Sequence, residues 1–551
     1  EMLMRQQVRR VVICCPPSVV RQWRDEMEQR FGLTVVIYDR DYVAARRQER
    51  GYGVNPWSTH SRFIISQALL REETYAAPLR DWLGDFCSSS LLILDEVHNA
   101  APASGARYAI DSKLTHAVRD IAPRFEHRLF LSATPHNGHS NSFAALLEIL
   151  DPQRFCRGVP VKSPKLLEEV MVRRLKRDLR AVTADFPERQ TIKVVVDGLP
   201  AEAPELVLSR LLQQYRQLGE ERLKGEARSR LSAAMLVVTS LQKRLLSSIE
   251  AFHRTLQPHR KAVERAAEAA AAPAPREELD GQLLLEAPGA DDERAELDDD
   301  EVQADEDAEM EAATRRALDG PRQLEPGKVT CPDGQGWPGP GVERERALLA
   351  QMAEIAAKAR YQPDTRVLRL IAWIKQNCCP DLGKPGAAWN DRRVLIFTEF
   401  TATKTYLQQQ LEEAIVGSDQ DDRRIDVFHG TVGEERREAI KAAFNMDPAR
   451  HPLRILIATD AAREGVNLQN HCADLFHFDV PWNPSRMEQR NGRIDRKLQR
   501  APLVRCHYFV LPQRAEDRVL DVLVHKTAII QKELGSLSPV VERNISRLFA
   551  Q

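Results

Sequence analysis

Short aliphatic runs separated by stretches of helical periodicity fill the first part of the chain. Each run is rich in branched or aliphatic residues, and a polar or helix-forming stretch follows it. Strands of this length that alternate with helices are typical of a parallel sheet covered on both faces. The pattern predicts a first α/β sheet with strands at Val11–Cys15, Val35–Tyr38, Phe63–Ser66, Leu91–Leu94 and Leu129–Leu131.

The same alternation returns late in the chain. It predicts a second, separate parallel sheet, because the two sets of runs are far apart and each is followed by its own helical stretches. The expected strands are Val394–Phe397, Ile425–Phe428, Ile455–Ile457, Leu475–Phe478 and Val504–Phe509.

A different pattern separates the two predicted sheets. Leu166–Leu179 is typical of a basic amphipathic helix, and Thr191–Val196 of a connecting strand. Ala201–Leu256 has apolar residues at helical spacing, which predicts a helical hairpin or small bundle. Residues from Gln257 to about Gly341 lose this periodicity and combine an Ala-rich run, an acidic run and PDGQGWPGPG. We expect disorder there, because such a segment buries too little apolar surface to offset the entropy of ordering.

Charge is distributed unevenly, although the net charge is only −1. Glu277–Glu311 contains 17 acidic residues and one basic residue, Arg294, so the rest has 78 basic and 63 acidic residues, a balance of +15. A basic body with an acidic, flexible insert suits a polyanionic partner.

Cysteine spacing and hydropathy argue against a zinc-binding, disulfide-stabilised or membrane-spanning protein. The nine cysteines include no C-x-x-C pair, so neither a zinc site nor a disulfide framework is predicted. No apolar run approaches the roughly 20 residues of a membrane span, and no signal peptide is visible. We expect a cytoplasmic protein with no membrane partner.

The strongest local signal is LLILDEVHNA, at Leu91–Ala100. Its aliphatic residues predict a buried strand, and the two carboxylates follow at the end where open α/β sheets bind ligands. Asp95 there can hold Mg²⁺ through water, and Glu96 can polarise the water that attacks the γ-phosphate of ATP. Taken alone, such a segment is more often an exposed acidic pair at a strand end.

A second strand end strengthens the catalytic interpretation. LFLSATPHNG places Ser132 and Thr134 at the end of the neighbouring predicted strand, 37 positions after Asp95. Hydroxyl groups there can bond the carboxylate pair and His98, and so link an ATP site to a nucleic-acid site. A Ser-Ala-Thr tripeptide alone does not indicate a function, but it supports the catalytic interpretation when it follows a DExH strand.

The late segment RMEQRNGRIDR is a candidate phosphate site. Gln489, Arg493 and Arg496 fall at i, i+4 and i+7, so a helix would project them from one face. Two guanidinium groups on that face can neutralise a γ-phosphate in the transition state; a solvated basic helix is the alternative. The preceding strand ends at Thr459 and a turn follows at Gly465, which places backbone amides where phosphates can bind.

These segments together resemble the helicases of superfamily 2. In chain order, PPSVVRQW, LLILDEVH, LFLSATPHNG, VLIFTEFTATKTYL, FHGTVGEERREAIKAAF, ATDAAREGVNLQ and the Gln489–Arg496 block resemble motifs Ia, II, III, IV, the following phosphate-contact block, V and VI. MVRRLKRDL and the helical stretch after it resemble the Swi/Snf branch, including its bacterial RNA-polymerase-recycling relatives. Within that branch, the segment from DEVHNA to SATPHNG is most similar to the Swi/Snf-like helicase of DISARM anti-phage systems.

The resemblance implies an α/β fold with two RecA-like parallel-sheet lobes, a helical insertion and a disordered acidic insert. The implied parts are lobe 1 at 1–160, the brace helix and helical insertion at 161–256, the acidic and Pro/Gly-rich linker at 257–343, lobe 2 at 344–512 and C-terminal helices at 513–551.

It also implies roles for individual residues. Mg²⁺–ATP hydrolysis would use Asp95 and Glu96, with Mg²⁺ held by Asp95 through water. The other implied roles are coupling by His98, Ser132 and Thr134, arginine fingers at Arg493 and Arg496, nucleotide proximity for Gln489 and Gly465, and a nucleic-acid track along Pro17, Ser18, Ser66, Thr398, His429, Gly430 and Thr459. A Ser or Thr at a strand end can also simply cap the next helix.

One element of the family is missing from the sequence. The G-x-x-x-x-G-K-[ST] phosphate loop expected before motif Ia is absent, and the nearest candidate, at Gly327–Thr330, has Val where Ser or Thr belongs. Because the chain starts at Glu1 within this region, we expect a fragment that hydrolyses ATP negligibly by itself.

The function that the resemblance implies is ATP-dependent translocation on double-stranded DNA, in bacterial phage defence, with other defence subunits as possible partners. One alternative is a remodelling ATPase that acts on RNA polymerase or another protein–nucleic-acid complex. A second is a catalytically inactive nucleic-acid-binding subunit.

Overall fold

The computed structural model describes residues 1–101, 113–132, 140–159, 164–172, 186–224, 228–268, 284, 299–318, 340–428, 434–460, 467–482, 484–497, 499–514, 516–517 and 524. The chain divides into two compact units. One is Glu1–Thr183 with Asn483–Ser485 and Leu523–Gln551, and the other is Ala184–Trp482 with Arg486–Val522.

The first unit is built on a parallel sheet, as predicted. The strand order is β2-β3-β1-β4-β5, and every described pairing is parallel. The strands are β1 Arg10–Cys15, β2 Val36–Tyr38, β3 Arg62–Ser66, β4 Cys87–Leu94 and β5 Phe125–Phe130. All five predicted runs are therefore confirmed as strands, with ends that differ by a few residues.

Alternating side chains of this sheet enter two hydrophobic cores. Val12 and Cys14 of β1 pack into one core, whereas Val11 and Ile13 pack into the other. Successive side chains of a strand point to opposite faces, so a strand buried on both faces is apolar throughout. The described helices of this unit are α1 Val20–Phe31, α2 Arg40–Arg50, α3 Gln67–Leu70, α4 Glu73–Leu83, α5 Lys113–Ile121, α6 Ser140–Leu150 and α7 Pro164–Val170.

The second unit contains a parallel sheet with the order β6-β11-β10-β7-β9-β8. Its strands are β6 Glu188–Val195, β7 Arg393–Thr398, β8 Ile425–Phe428, β9 Ile455–Thr459, β10 Cys472–His477 and β11 Leu503–Val510. The five predicted late strands are confirmed. The predicted connecting strand is a member of this sheet, because β6 pairs in parallel with β11 along its whole length.

Helices cover this sheet too, and both of its faces are apolar. Val394 and Ile396 of β7 enter one core, and Leu395 and Phe397 enter the other. The helices that accompany the strands are α13 Thr365–Asn377, α14 Thr401–Ile415, α15 Glu434–Asn445 and α16 Pro484–Asn491.

Five further helices form a bundle with its own core. They are α8 Pro204–Arg222, α9 Arg228–Ser247, α10 Ile249–Glu268, α11 Asp299–Leu318 and α12 Pro340–Ala359. The helical prediction for Ala201–Leu256 is confirmed. The disorder predicted for 257–343 is wrong for three parts: α10 continues to Glu268, α11 occupies part of the acidic stretch, and α12 begins at Pro340.

The reason for this error lies in a narrow apolar face. Met310 and Ala313 of α11 are buried in the core of the bundle, and Thr314 and Ala317 beside them are also buried. Small apolar residues at helical spacing are enough to dock a helix whose other faces are acidic. The predicted basic helix is described only as α7, since residues 173–185 lie outside the described part, and so does most of 513–551. Among the described residues, no helix is long and apolar enough to cross a membrane.

Candidate active site

The carboxyl end of β4 brings together Asp95, Glu96 and His98, which are three of the residues predicted for ATP hydrolysis. Asp95 follows β4 directly, and its amide donates to the carbonyl of Cys14 at 2.9 Å. On the other side, the amide of Val97 donates to the carbonyl of Leu131 at 3.0 Å. Asp95 and its neighbours therefore lie at the edge where three parallel strands end, which is where such sheets bind ligands.

The Asp95 carboxylate accepts hydrogen bonds from neutral donors. The indole N–H of Trp23 donates to Oδ2 at 2.8 Å, and the amide of Glu96 donates to Oδ1 at 3.0 Å. Burial raises the pKa of Asp95, although the Trp23 N–H opposes this rise. Among the residues that the structure describes, no arginine or lysine forms an ion pair with it. Its negative charge is thus held in a partly buried place without a cationic side chain.

The Asp95 backbone is also fixed. The side-chain amide of Gln67, at the start of α3, donates to the Asp95 carbonyl at 2.7 Å. Asn99 in turn donates to the Gln67 side chain at 3.3 Å. Gln67 is buried, at 1% exposure. Gln67 therefore holds the loop that carries the carboxylates at both ends, at Asp95 and at Asn99.

Glu96 has a left-handed backbone, with φ of 44° and ψ of 50°. A non-glycine residue seldom adopts this conformation, and such strain is concentrated at functional sites. Glu96 Oε2 is buried without a hydrogen bond, but it lies 3.2 Å from His98 Nδ1. The same nitrogen is 3.1 Å from Ser132 Oγ. The structure thus joins Glu96, His98 and Ser132 at one edge, whereas Thr134 lies outside the described residues.

These groups fit the Mg²⁺ ion that the resemblance implies. A magnesium ion is commonly held by one or two carboxylates together with phosphates and water. Within the described residues, no arginine or lysine side chain neutralises the Asp95 carboxylate, and Glu96 Oε2 has no hydrogen bond. No cluster of three or more His, Cys, Asp or Glu side chains suited to a metal occurs in the described part of the chain.

The carboxyl edge of the second sheet is organised around Arg490. Its Nε and Nη2 donate to the two carboxylate oxygens of Asp460 at 2.6 and 2.7 Å. Its Nη1 donates to the carbonyl of Asp479 at 2.7 Å. Burial alone would raise the pKa of Asp460, but Arg490 outweighs this effect and the pKa is lowered. Nη2 also lies 3.3 Å from Asp479 Oδ1. Because Arg490 is only 2% exposed, its charge interacts with the carboxylates of Asp460 and Asp479 rather than with water.

The predicted helical face for Gln489, Arg493 and Arg496 is wrong. Helix α16 ends at Asn491, and the two arginines lie in the turns that follow. Gly492 is the first residue after this helix. A Cβ atom there would be only 3.2 Å from the carbonyl oxygen of Glu488, so the position favours glycine.

The two arginines consequently have different surroundings. Arg493 is buried, at 7% exposure. Arg496 is half-buried, and its guanidinium donates to the Gly492 carbonyl at 2.6 Å and to the Asn467 side chain. Their roles as arginine fingers, and the proximity of Gln489 to the nucleotide, stay predictions.

The predicted nucleic-acid track is only partly described. Ser66 caps α3, since its Oγ accepts from the Leu69 amide at 3.2 Å. Thr398 is fully buried and donates to Asp479 at 2.6 Å. Thr459 is also buried. Pro17 and Ser18 lie in the short 3₁₀ helix Pro17–Val19, and His429, Gly430 and Gly465 lie outside the described residues.

Sequence reasoning missed four residues that organise these edges. Trp23 and Arg490 lie within segments that the motif comparison includes, but spacing gives them no separate signal. Asp460 and Asp479 had a usable signal, because each follows a parallel strand closely, as Asp95 does. Both carboxylates could have been placed at a sheet edge on that ground.

Comparison with known proteins begins with one domain. Residues 381–497 match the helicase conserved C-terminal domain. The uncharacterized ATP-dependent helicase YqhH of Bacillus subtilis (strain 168) is 33% identical over 153 residues, which are 28% of this chain and 25% of that protein. The helicase domain of Hef from Pyrococcus furiosus is a solved structure with 12% identity, coverage of 95% of this chain and 96% of that one, and a TM-score of 0.39.

A longer match extends over almost the whole chain. The RNA polymerase-associated protein RapA of Stutzerimonas stutzeri (strain A1501) is 23% identical over 532 residues, which are 93% of this chain and 43% of RapA. The chain thus spans about a quarter of the Bacillus relative and less than half of RapA. The chain therefore contains a helicase conserved C-terminal domain at residues 381–497 and is similar to an ATP-dependent helicase and to RapA.

Proposed function

We propose that this chain is the main part of an ATP-driven motor that translocates on double-stranded DNA. The observation that carries the proposal is the carboxyl edge of β4, where Asp95 and Glu96 lie with His98 and Ser132. Asp95 has the unneutralised carboxylate, and Glu96 has the strained backbone and an oxygen without a hydrogen bond. This combination suits a site that binds Mg²⁺–ATP and activates water.

The roles of the chain's own residues follow from these contacts. Asp95 would hold Mg²⁺, which neutralises charge on the phosphates of ATP. Trp23 and Gln67 keep Asp95 in place by bonds to its carboxylate and carbonyl. Glu96 would orient the attacking water and take its proton. His98 lies within reach of both Glu96 and Ser132, so it is positioned to transmit a change at Glu96 to the end of β5.

Double-stranded DNA is the proposed substrate because of charge and motif order. Outside Glu277–Glu311 the chain carries a balance of +15, and phosphate contacts by basic residues supply most of the non-specific affinity for nucleic acid. The biological setting that we propose is bacterial phage defence with other defence subunits. It rests on the DISARM-like segment between the DEVH and SATPHNG motifs.

A second candidate function is the remodelling of a complex that contains RNA polymerase. The observation that favours it is the match to RapA, an RNA polymerase-associated protein, over 93% of this chain. The two candidates share the ATPase chemistry and differ in the partner that stimulates it. We therefore propose the motor first and let the stimulating partner distinguish them.

The test is ATP turnover by the chain extended with a phosphate-loop segment, alone, with duplex DNA and with RNA polymerase. We expect stimulation by DNA, and negligible turnover by residues 1–551 alone. Glu96→Gln should lower turnover by about 10²-fold or more while ATP binding persists. Glu28→Gln, at an exposed glutamate of α1, is the control. Stimulation by polymerase alone would favour remodelling, and no turnover by the extended chain would favour an inactive binding subunit.

A further inference from the structure

The helical bundle is tied to the second sheet at one buried turn. Helix α9 ends at Ser247, whose Oγ donates to Asp479 Oδ2 at 2.5 Å. Thr403 Oγ1 on α14 lies 2.7 Å from the same Ser247 Oγ and 2.8 Å from Ser248 Oγ. Both serines are fully buried. The turn between α9 and α10 is therefore bonded directly to residues at the carboxyl edge of the sheet.

Arg366 holds the same turn from another side. Its guanidinium donates to the carbonyls of Leu246 and Ser247 at 2.6 and 2.7 Å, and to Asp364 at 2.8 Å. Arg366 is 5% exposed. These bonds satisfy the last carbonyls of α9, which have no partner within the helix. The Ser247 hydroxyl is thus fixed where it meets Asp479.

Asp479 connects this turn to Arg490. Its Oδ2 accepts from the hydroxyls of Ser247 and Thr398, and its Oδ1 accepts from the amide of Glu399 at 2.8 Å. Its carbonyl accepts from Arg490, which also pairs with Asp460. Arg490 supplies one positive charge between two carboxylates, so neutral donors such as Ser247 provide the remaining stabilisation of Asp479.

We propose that Asp479 is a positioning residue through which the helical bundle controls the Arg490–Asp460 pair. Asp460 lies within the segment that resembles motif V, and Arg490 lies on α16 beside Gln489 in the motif VI block. A shift of the turn at Ser247 would change the bonds of Asp479, and Asp479 would pass the change to α16. As a part of the motor this rests on the proposed function, but the coupling is a property of this chain alone.

The helix α9 offers a matched control. Ser240, two turns before Ser247 on the same helix, is also fully buried, but its hydroxyl has no hydrogen-bond partner among the described residues. Ser240→Ala and Ser247→Ala therefore remove the same atom from the same helix. Only the second substitution removes a bond to Asp479.

The experiment is amide hydrogen exchange across Pro484–Asn491 in the chain 1–551, without nucleotide or DNA. Ser247→Ala should speed exchange in this helix by roughly tenfold, the factor expected when opening becomes easier by about one buried hydrogen bond. Ser240→Ala should leave it unchanged. Equal protection of α16 in both variants would overturn the proposal. The measurement needs no ATPase activity, so its failure and the failure of the proposed function are separable.

Two further variants test whether the effect passes through Arg490 and provide an alternative if Ser247→Ala does not fold. In an Arg490→Lys background, Ser247→Ala should add no further exchange in α16, because its effect passes through Arg490. An undiminished increase there would also count against the proposal. If Ser247→Ala does not fold, Ser247→Cys retains a weak donor of similar size. It should give a smaller increase of exchange in the same helix, and no increase would refute the coupling.

Discussion

The two sheets present carboxylates at the same topological position and treat them differently. Asp95, after β4, accepts from an indole and a backbone amide, and no cationic side chain among the described residues pairs with it. Asp460, after β9, accepts one hydrogen bond from Nε and one from Nη2 of Arg490. Burial raises the pKa of Asp95, whereas Arg490 lowers that of Asp460 against the effect of burial.

The difference teaches that a strand-end carboxylate is not a functional signal by itself. The charge of Asp460 is already neutralised by Arg490, so this carboxylate stabilises the fold. The charge of Asp95 needs a partner from outside the described residues, and a bound cation would supply one. Burial of the charge thus costs stability at the first edge, whereas the ion pair at the second edge contributes stability.

The largest effect is expected from the two arginines beyond α16. Arg493→Ala or Arg496→Ala in the phosphate-loop-extended protein should lower ATP turnover by about 10³-fold or more if they act as fingers. Arg500→Ala, at an exposed arginine nearby, is the control. Steady-state ATPase rates with saturating DNA, together with melting temperatures, check this. Rates near the unmodified value in both variants would refute the finger roles.

Stability should respond with opposite sign at the two edges. Asp460→Asn should destabilise the chain at pH 7 by about 3–5 kcal/mol, because it leaves the buried Arg490 short of a partner. Asp95→Asn should stabilise it in the absence of divalent metal, since the substitution removes a poorly compensated charge. Asp426→Asn removes the partner of the exposed Arg436 and should cost at most about 1 kcal/mol.

The pH dependence follows from the directions of these pKa shifts. A lowered pKa in the folded state means that the stabilisation by Asp460 is present above its ordinary pKa and is lost as the pH falls through that range. The raised pKa of Asp95 has the opposite sign, so its penalty grows as the pH rises. Urea unfolding at pH 7 and at about pH 3 measures both differences. The same sign for both variants at pH 7 would break the comparison between the edges.

The smallest effect is expected on DNA affinity, from substitutions on α11. This helix also carries both kinds of acidic residue, one paired with a buried arginine and others exposed. Glu306 pairs with the buried Arg244 at 2.7 Å, whereas Asp300 and Asp305 are exposed. Because α11 packs in the bundle, the acidic stretch is better tested by substitution than by deletion. Asp300→Asn with Asp305→Asn should tighten DNA binding a few-fold at low salt if exposed acids compete with the phosphates, and the gain should shrink at high salt.

A matched control separates this competition from a general charge effect. Glu343 and Glu354 lie on α12, outside the acidic stretch, and both are exposed. Their change to Gln removes the same number of charges. Titration of labelled duplex at two salt concentrations compares the pairs. Equal affinities for both pairs and the unmodified chain at low salt would leave α11 as a structural helix only.

The sequence by itself determined the elements whose signal is local. Ten strands were predicted from aliphatic runs, because a strand buried on both faces is apolar at every position. The position of Asp95 and Glu96 followed, since the end of such a strand is visible in the sequence. The packing of α11 was missed because its apolar face is narrow and is surrounded by acidic residues. The end of α16 at Asn491 was missed because arginine spacing alone continued the helix.

Only the tertiary structure decided which partner each of these groups meets. Trp23 reaches Asp95 across 72 positions of the chain, and Ser247 reaches Asp479 across 232. Strand β6 joins the second sheet by pairing with β11, more than 300 positions later. Hydrophobic periodicity encodes which face of an element is buried, but it does not encode what that face is buried against. The charge state of Asp95 and the coupling at Asp479 depend on those partners, so they appear only when the chain is folded.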